Sequence, residues 1–421
     1  MNTPYVLILF RNFSSVYRQN LITVTRVAQS CGFECVAIVA EGDRVPPEAV
    51  LARVEPCASW DDLPAIRALA LRVASELPVV RVLALFEDDV FTAGLIREDL
   101  KVPGATSDVA IHFRNKTVMH ARAAELGIPT PRSCLPLTWK IVSDFVAEVG
   151  FPVVLKPGGG HGAMNTHRVD TQEDLARLWH GIENQRELYR LEKYIEGNQF
   201  HLDCVVRGGE IVYQVLSRYT ANLLNYTNEP GGTVTRQGER TAYEARILSI
   251  NQQVISGFGL HVGITHGEYY LTAKGEVFLG EIGARPPGGS ILPTIEAATG
   301  VDLVRTWALA EMAETFVPPQ SHAGEASTRF LASRAHGRIV AQTTRESLLS
   351  LEGVVSANLW RSVGDVIGGP QLSSDFLGYV IARGQTSSEA VERVQRAADA
   401  FVVETARLTD HADLAVASGS R

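Results

Sequence analysis

No run of the chain approaches the ~18 consecutive apolar residues of a membrane helix. The apolar run Tyr5–Phe10 is too short for the core of a signal peptide and has no basic stretch before it. The expectation is therefore a cytoplasmic protein with no membrane partner. Cysteine is scarce, five in 421 residues (Cys31, Cys35, Cys57, Cys134 and Cys204), and no two make a C-x-x-C pair. That argues against a zinc or dithiol centre, and their apolar neighbours suggest reduced, buried small hydrophobes. Basic runs interleaved with aromatics are missing, and the formal charge of −8 argues against a nucleic-acid partner. The first strand runs into Arg11-Asn12-Phe13-Ser14 without glycine, so the G-x-G-x-x-G dinucleotide fingerprint is absent. No Walker A loop, internal repeat or low-complexity tract takes its place.

What is present is the composition of an ordinary globular protein, 45% hydrophobic and 20% charged, long enough for two to four domains at about 100–200 residues each. Tyr5–Phe10, Phe33–Ala40 and Pro78–Phe86 read as buried strands. They alternate with helices over Ser15–Cys31, closed by Gly32, and from Asp61-Asp62 to Glu76. That alternation implies an α/β class with a parallel sheet. Glu87, Asp88 and Asp89 follow the third strand, where α/β proteins bind ligands, yet an acidic loop there also reads as simple solvated polarity.

A helix is expected from Ser107 to about Leu126, ending at Gly127-Ile128-Pro129-Thr130-Pro131, with Lys116 inside it. Phe151–Pro157 is a strand that carries Lys156 into Gly158-Gly159-Gly160-His161-Gly162-Ala163, and Thr166–Val169 returns. Such a glycine-rich flap lets backbone N–H groups approach phosphate oxygens, although similar hairpins are also plain mobile loops. Thr171 caps a helix to Ile182, and Leu191–Glu196 leads into strands Gln199–Val206 and Glu210–Leu216. The polar loop Ser217–Arg240 offers Arg218, Tyr219 and Arg236 as substrate contacts. The helix Val301–Thr315 ends at Pro318-Pro319. Strands Thr328–Ser333, Gly353–Trp360 and Tyr379–Arg383 follow, then a helix over Ser388–Glu404.

Gly263 to Ser290 holds the densest chemistry. Ile264–Thr272 and Glu276–Ile282 flank Lys274-Gly275, and a two-residue loop there makes a β-hairpin with Ala273 opposite Glu276 and Glu268 opposite Glu281. His266, Glu268 and Tyr270 then share a face with Leu279, Glu281 and Arg285, while Tyr269, Leu271, Phe278 and Ile282 face a core. Directly opposed carboxylates repel one another, and a hard divalent cation would reconcile them. Two solvated glutamates on an exposed strand pair are the plainer alternative.

The order of these pieces resembles the ATP-grasp superfamily from the first strand to about Thr405, in its carboxylate–amine ligase (L-amino acid ligase-like) branch with biotin-carboxylase-like domain order. The resemblance implies a Rossmann-like N-terminal domain (1–106), an ATP-grasp domain (107–317) with flap 156–169 and metal hairpin 264–285, and a small α+β C-terminal lobe (320–421). It implies ATP bound by Lys116, Lys156 and the Gly158–Ala163 loop, with Glu192-Lys193-Tyr194-Ile195 as the adenine hinge. Mg²⁺ (or Mn²⁺) falls to Glu268 and Glu281, and Arg285 neutralises the acyl phosphate and tetrahedral intermediate.

Two positions depart from the family pattern. Gly283 stands where many members carry the asparagine of E-x-N, so a metal would lean on two carboxylates, phosphates and water, with His266 near by. Gln199 replaces a ribose-binding glutamate. His266, Gly288 and Gly289 match the amino-acid ligases and are candidate substrate contacts, His266 equally a structural hydrogen-bonder. The reaction implied joins a small carboxylic acid to an amine with release of ADP and phosphate, in a possible homodimer. A biotin-carboxylase-type carboxylase and a non-catalytic nucleotide-binding module are the alternatives.

Overall fold

Val6 to Phe10 are all buried, as a strand covered on both faces requires. In the computed structural model, which describes residues 3–160, 164–221, 224, 230–236, 240–322, 324–368 and 376–407, Tyr5–Leu9 pairs in parallel with Glu34–Ala40 and Val79–Ala84. Arg53–Cys57 adds a parallel strand outside Glu34–Ala40. The sequence reading omits it because Pro56, Arg53 and Glu55 interrupt any apolar run, and as an edge strand it tolerates the proline. Val6 and Ile8 pack with the helices Ser15–Ser30 and Leu303–Met312, while Leu7 and Leu9 pack with Leu63–Glu76 and Val90–Leu100. Each face of the sheet is thus covered.

The helix expected over Ser107–Leu126 is broken. Ser107–Ala110 continues as a 3₁₀ turn to Phe113, and a new helix spans Lys116–Glu125. Asn115 causes the break, since its extended backbone and side chain cap the N–H groups of Thr117 and Val118. Lys116 therefore opens a helix instead of lying inside one.

Val153–Pro157, His167–Val169, Tyr189–Lys193 and Ser133–Cys134 form a small antiparallel sheet. It is backed by the helices Trp139–Val149 and Gln172–Gly181 through Val142, Leu155, Leu175 and Trp179. The acidic hairpin lies at the edge of a larger sheet, ordered Val277–Gly283, Val262–Leu271, Asn198–Arg207, Glu210–Tyr219, Thr233–Arg236, Glu325–Leu331, Gly378–Gly384 and Val354–Leu359. Strands from the C-terminal third therefore hydrogen-bond directly onto the central sheet, through Thr233–Arg236.

The helix Ala242–Phe258, absent from the sequence reading, is fixed by a capping box of Thr241 and Glu244. It packs Ile247, Val254 and Phe258 under the hairpin's core face. The C-terminal helix is Ser387–Asp399, shorter than expected because the chain turns into the strand Val403–Ala406. Among the described residues no helix is long and apolar enough to cross a membrane.

Candidate active site

Glu268 pairs with Glu281, and His266 with Gly283, as the alternation requires. The route to that register differs from the expectation. Thr272 N–H donates to Glu276 O and Gly275 N–H to Thr272 O, so the turn holds three residues, with Gly275 at φ +81. Near the turn Tyr270 faces Phe278 and Tyr269 faces Leu279, and a shift between Glu268 and Tyr269 restores the Glu268–Glu281 pairing. The extra residue is Gly280. One consequence corrects the facial assignment: Leu279 is fully buried with Tyr269, Val277 and Ile282, whereas Phe278 is only half-buried. The two exchange places because the bulge absorbs one residue between them and Glu281.

Lys116 at the helix start places Nζ 3.0 Å from Glu281 Oε2 and donates to Gly160 O at 2.6 Å. Burial works against ionisation of Glu281, but Lys116 and Lys156 outweigh it and hold its carboxyl down to about 2. Lys156, from the strand Val153–Pro157, lies 2.8 Å from Glu192 Oε2. The Glu192 carboxylate also takes Arg190 Nε at 3.1 Å, so its side chain braces Lys156. Burial would raise its pKa, yet Lys156, His120 and Arg190 keep it below the usual carboxylate range. The side chain expected at an adenine hinge is thus engaged by cations, and Lys193, Tyr194 and Ile195 line the cavity beside it, the N–H groups of Lys193 and Tyr194 being donated to Arg132 O and Pro152 O. Arg190 bridges onward to His120, whose Nε2 meets the carbonyl of the bulged Gly280.

Glu268 is held by side chains from the next strand and the one beyond it. Tyr219 hydroxyl donates to Oε1 at 2.9 Å and Gln199 Nε2 to Oε2 at 3.0 Å. Gln199, the expected ribose contact, is therefore joined to Glu268. His266 turns Nδ1 to Asp203 Oδ1 at 2.7 Å and places Nε2 3.7 Å from Glu268 Oε1, while His201 Nδ1 takes the other Asp203 oxygen at 2.6 Å. Burial opposes the imidazolium, but Asp203 prevails and His266 is pushed up to about 9. With Nδ1 committed to Asp203 and Nε2 turned toward Glu268, the ring braces the carboxylate from behind.

Arg285 completes the cluster. Its Nε donates to Glu87 Oε2 at 2.6 Å, and although burial disfavours its charge, Glu87 stabilises it and raises its pKa. Glu87, for which the sequence left both a ligand-side position and plain solvated polarity open, lines the cavity. Its position after a strand's carboxyl end was the signal. Asp88 and Asp89 instead pair with Arg114 and Arg11.

Arg218 is a correction. It is exposed, because alternation on Glu210–Tyr219 turns Ser217 and Tyr219 inward, and Tyr219 takes the cavity position. Arg236 pairs with Glu244 on the adjoining helix. Gly288, Gly289 and Gly160 line the cavity, and Gly158 O and Gly159 O accept from Lys116 N–H and Arg114 respectively. His161, Gly162 and Ala163 lie outside the described residues. Asp203 was missed, although H-x-D on a strand beside His266 marks it.

These groups surround a cavity of about 350 Å³. Paired hard oxygen donors at Glu268 and Glu281 suit a divalent cation with phosphate ligands, and Lys116 and Lys156 suit the phosphates.

Residues 329–406 match the model of the L-amino acid ligase C-terminal domain 2. Among curated proteins, the L-arginine-specific L-amino acid ligase of Bacillus subtilis is 27% identical over 322 residues, 74% of this chain and 77% of that protein. The crystal structure of an L-amino acid ligase from Bacillus licheniformis aligns with a TM-score of 0.80 at 16% identity, over 97% of this chain and 100% of that one. N5-carboxyaminoimidazole ribonucleotide synthetase from Thermotoga maritima aligns at 0.68 and 19% identity, over 96% and 100%. The chain therefore has the ATP-grasp fold, and it is similar in sequence to L-amino acid ligases, most directly in the matched residues 329–406.

Proposed function

We propose that this chain activates a small carboxylic acid, an amino acid or similar, as an acyl phosphate at the expense of ATP and joins it to an amine as an amide. The observation that carries this reading is the convergence of Lys116, Lys156, Glu268, Glu281 and Arg285 on one cavity from four separate segments. Lys116 and Lys156 offer positive charge to the triphosphate, each held in place by a carboxylate partner. Glu268 and Glu281 would hold Mg²⁺, which offsets charge repulsion between the acid and the phosphate it attacks. Arg285, fixed by Glu87, offers its guanidinium to the oxyanion formed when the amine adds. The protein positions charges and excludes water, and needs no covalent nucleophile of its own.

The test is a screen of acid and amine pairs for ADP release, with mass spectrometry of the products. An amide formed with stoichiometric ADP supports the reading. ATP turnover with bicarbonate alone, and none with acid–amine pairs, would replace it with a carboxylase.

A further inference from the structure

We infer that the acid activated at this site carries a large apolar or aromatic side chain, seated in a slot beyond Arg285; this rests on the ligase reading above. The cavity has two differently made ends. One gathers the lysines and glutamates. The other is walled by two aromatic pairs from opposite ends of the chain. Tyr17 and Phe86 meet edge to face with centroids 5.1 Å apart, and Phe330 stacks on Phe376 at 4.8 Å with planes 16° apart.

Between these walls runs a floor without side chains. A Cβ on Gly288 would stand 3.8 Å from the Tyr17 hydroxyl, and one on Gly289 would stand 3.5 Å from Phe330 Cζ. Side chains at both positions would fill the slot, and their absence keeps it open. Gly289 is also at φ +62, a conformation glycine adopts without strain.

Charge decides what the slot accepts. Its carboxylate among the described residues is Glu87, already bonded to Arg285. A cationic side chain would have to take Glu87 from Arg285 and leave that part-buried guanidinium with a backbone carbonyl, Pro286 O, in place of its carboxylate, a costly exchange. An apolar side chain disturbs neither group and gains from burial against the rings. The slot starts at Arg285, beside the carboxyl to be activated, so it selects the acid and not the amine.

The experiment supplies L-alaninamide, which lacks a carboxylate, as the amine, and compares L-phenylalanine, L-leucine, glycine, L-arginine and L-aspartate as acids. Phenylalanine or leucine is expected to exceed glycine and arginine in kcat/KM by ~10-fold or more, the scale on which hydrophobic pockets discriminate. Phe330→Asp, with near-UV circular dichroism to check the fold, is expected to move preference toward arginine. Glycine or arginine equal to or above phenylalanine and leucine overturns the inference while leaving the ligase reading intact. If no acid releases ADP, the ligase reading fails. Binding of phenylalanine by equilibrium dialysis then decides the slot, and its absence removes that too.

Discussion

The carboxylate of Glu87 fills the volume that Gly283 leaves empty on the acidic hairpin: a Cβ on Gly283 would stand 2.9 and 3.2 Å from its two oxygens. The N-terminal sheet thereby delivers an acid to the place where a family asparagine side chain would project, and that acid holds Arg285. The departure at Gly283 and the unexpected role of Glu87 are two sides of one steric fact.

Glu87→Gln should accordingly lower the rate of amide formation by about 10- to 100-fold. It removes the acceptor's charge from a hydrogen bond worth about 1.5–3 kcal/mol, leaving only the guanidinium charged, while keeping the shape. Steady-state ADP release checks this, and a rate within twofold of wild type would remove Glu87 as the anchor of Arg285. Gly283→Asn should also impair turnover, by pushing Glu87 away.

Glu281→Gln should abolish ADP formation and leave the thermal unfolding profile close to wild type. The substitution removes one of the two opposed carboxylates and the partner of Lys116, but keeps volume and strand pairing. Magnesium titration of the variant should show binding weakened by an order of magnitude or more. Near wild-type turnover would falsify the metal assignment.

How much of this was legible in the sequence depends on the range of the interaction. Alternation along a strand placed Glu268, His266 and Tyr270 on the cavity side, and the strand-ending Lys156 was visible as a local pattern. Glu281 was also paired correctly, although the two-residue turn assumed for it was wrong and the bulge at Gly280 compensated. Glu87 was left between a pocket-lining and a solvated reading because its partner Arg285 lies 198 residues away, and no local pattern announces a contact of that length. Arg218 was misassigned for the opposite reason. Charge in a polar loop suggested a contact, whereas its place on Glu210–Tyr219 turns it to solvent. The break at Asn115 was overlooked because a helix-compatible composition hides a cap, even though asparagine is a preferred residue there.

The thiols of Cys35 and Cys134 should be chemically quiet. Burial pushes Cys35 up to about 12, with Glu34 adding to it, and Cys134 up to about 11 against a small opposing effect of Arg190. A raised pKa means that the reactive thiolate is scarce at pH 7–8 and accumulates only as pH climbs toward those values. Iodoacetamide at pH 7.5 should leave activity unchanged, with peptide mass mapping showing at most slow labelling at Cys35 and Cys134. Labelling at these positions should accelerate steeply above pH 10. Stoichiometric inactivation at pH 7.5 would mean that a cysteine takes part in the reaction.

Gly280 is the position where the hairpin's geometry is most exposed to a small change. The bulge there moves Glu281 into register with Glu268, and its carbonyl is met by His120 Nε2 at 2.9 Å. A Cβ at this position would come within 2.7 Å of Tyr270 Cε2 and 3.3 Å of Glu268 O. Tyr270 lines the cavity and is half-buried on its strand, so moving aside means pushing its ring into the cavity. Gly280→Val should therefore destabilise the fold by about 1–3 kcal/mol, as overpacking does. It should also weaken magnesium binding, because relief of the clash separates the two carboxylates. Thermal unfolding and metal titration measure the two effects separately. Loss of stability with unchanged metal affinity would show that the carboxylates reach their register without the bulge.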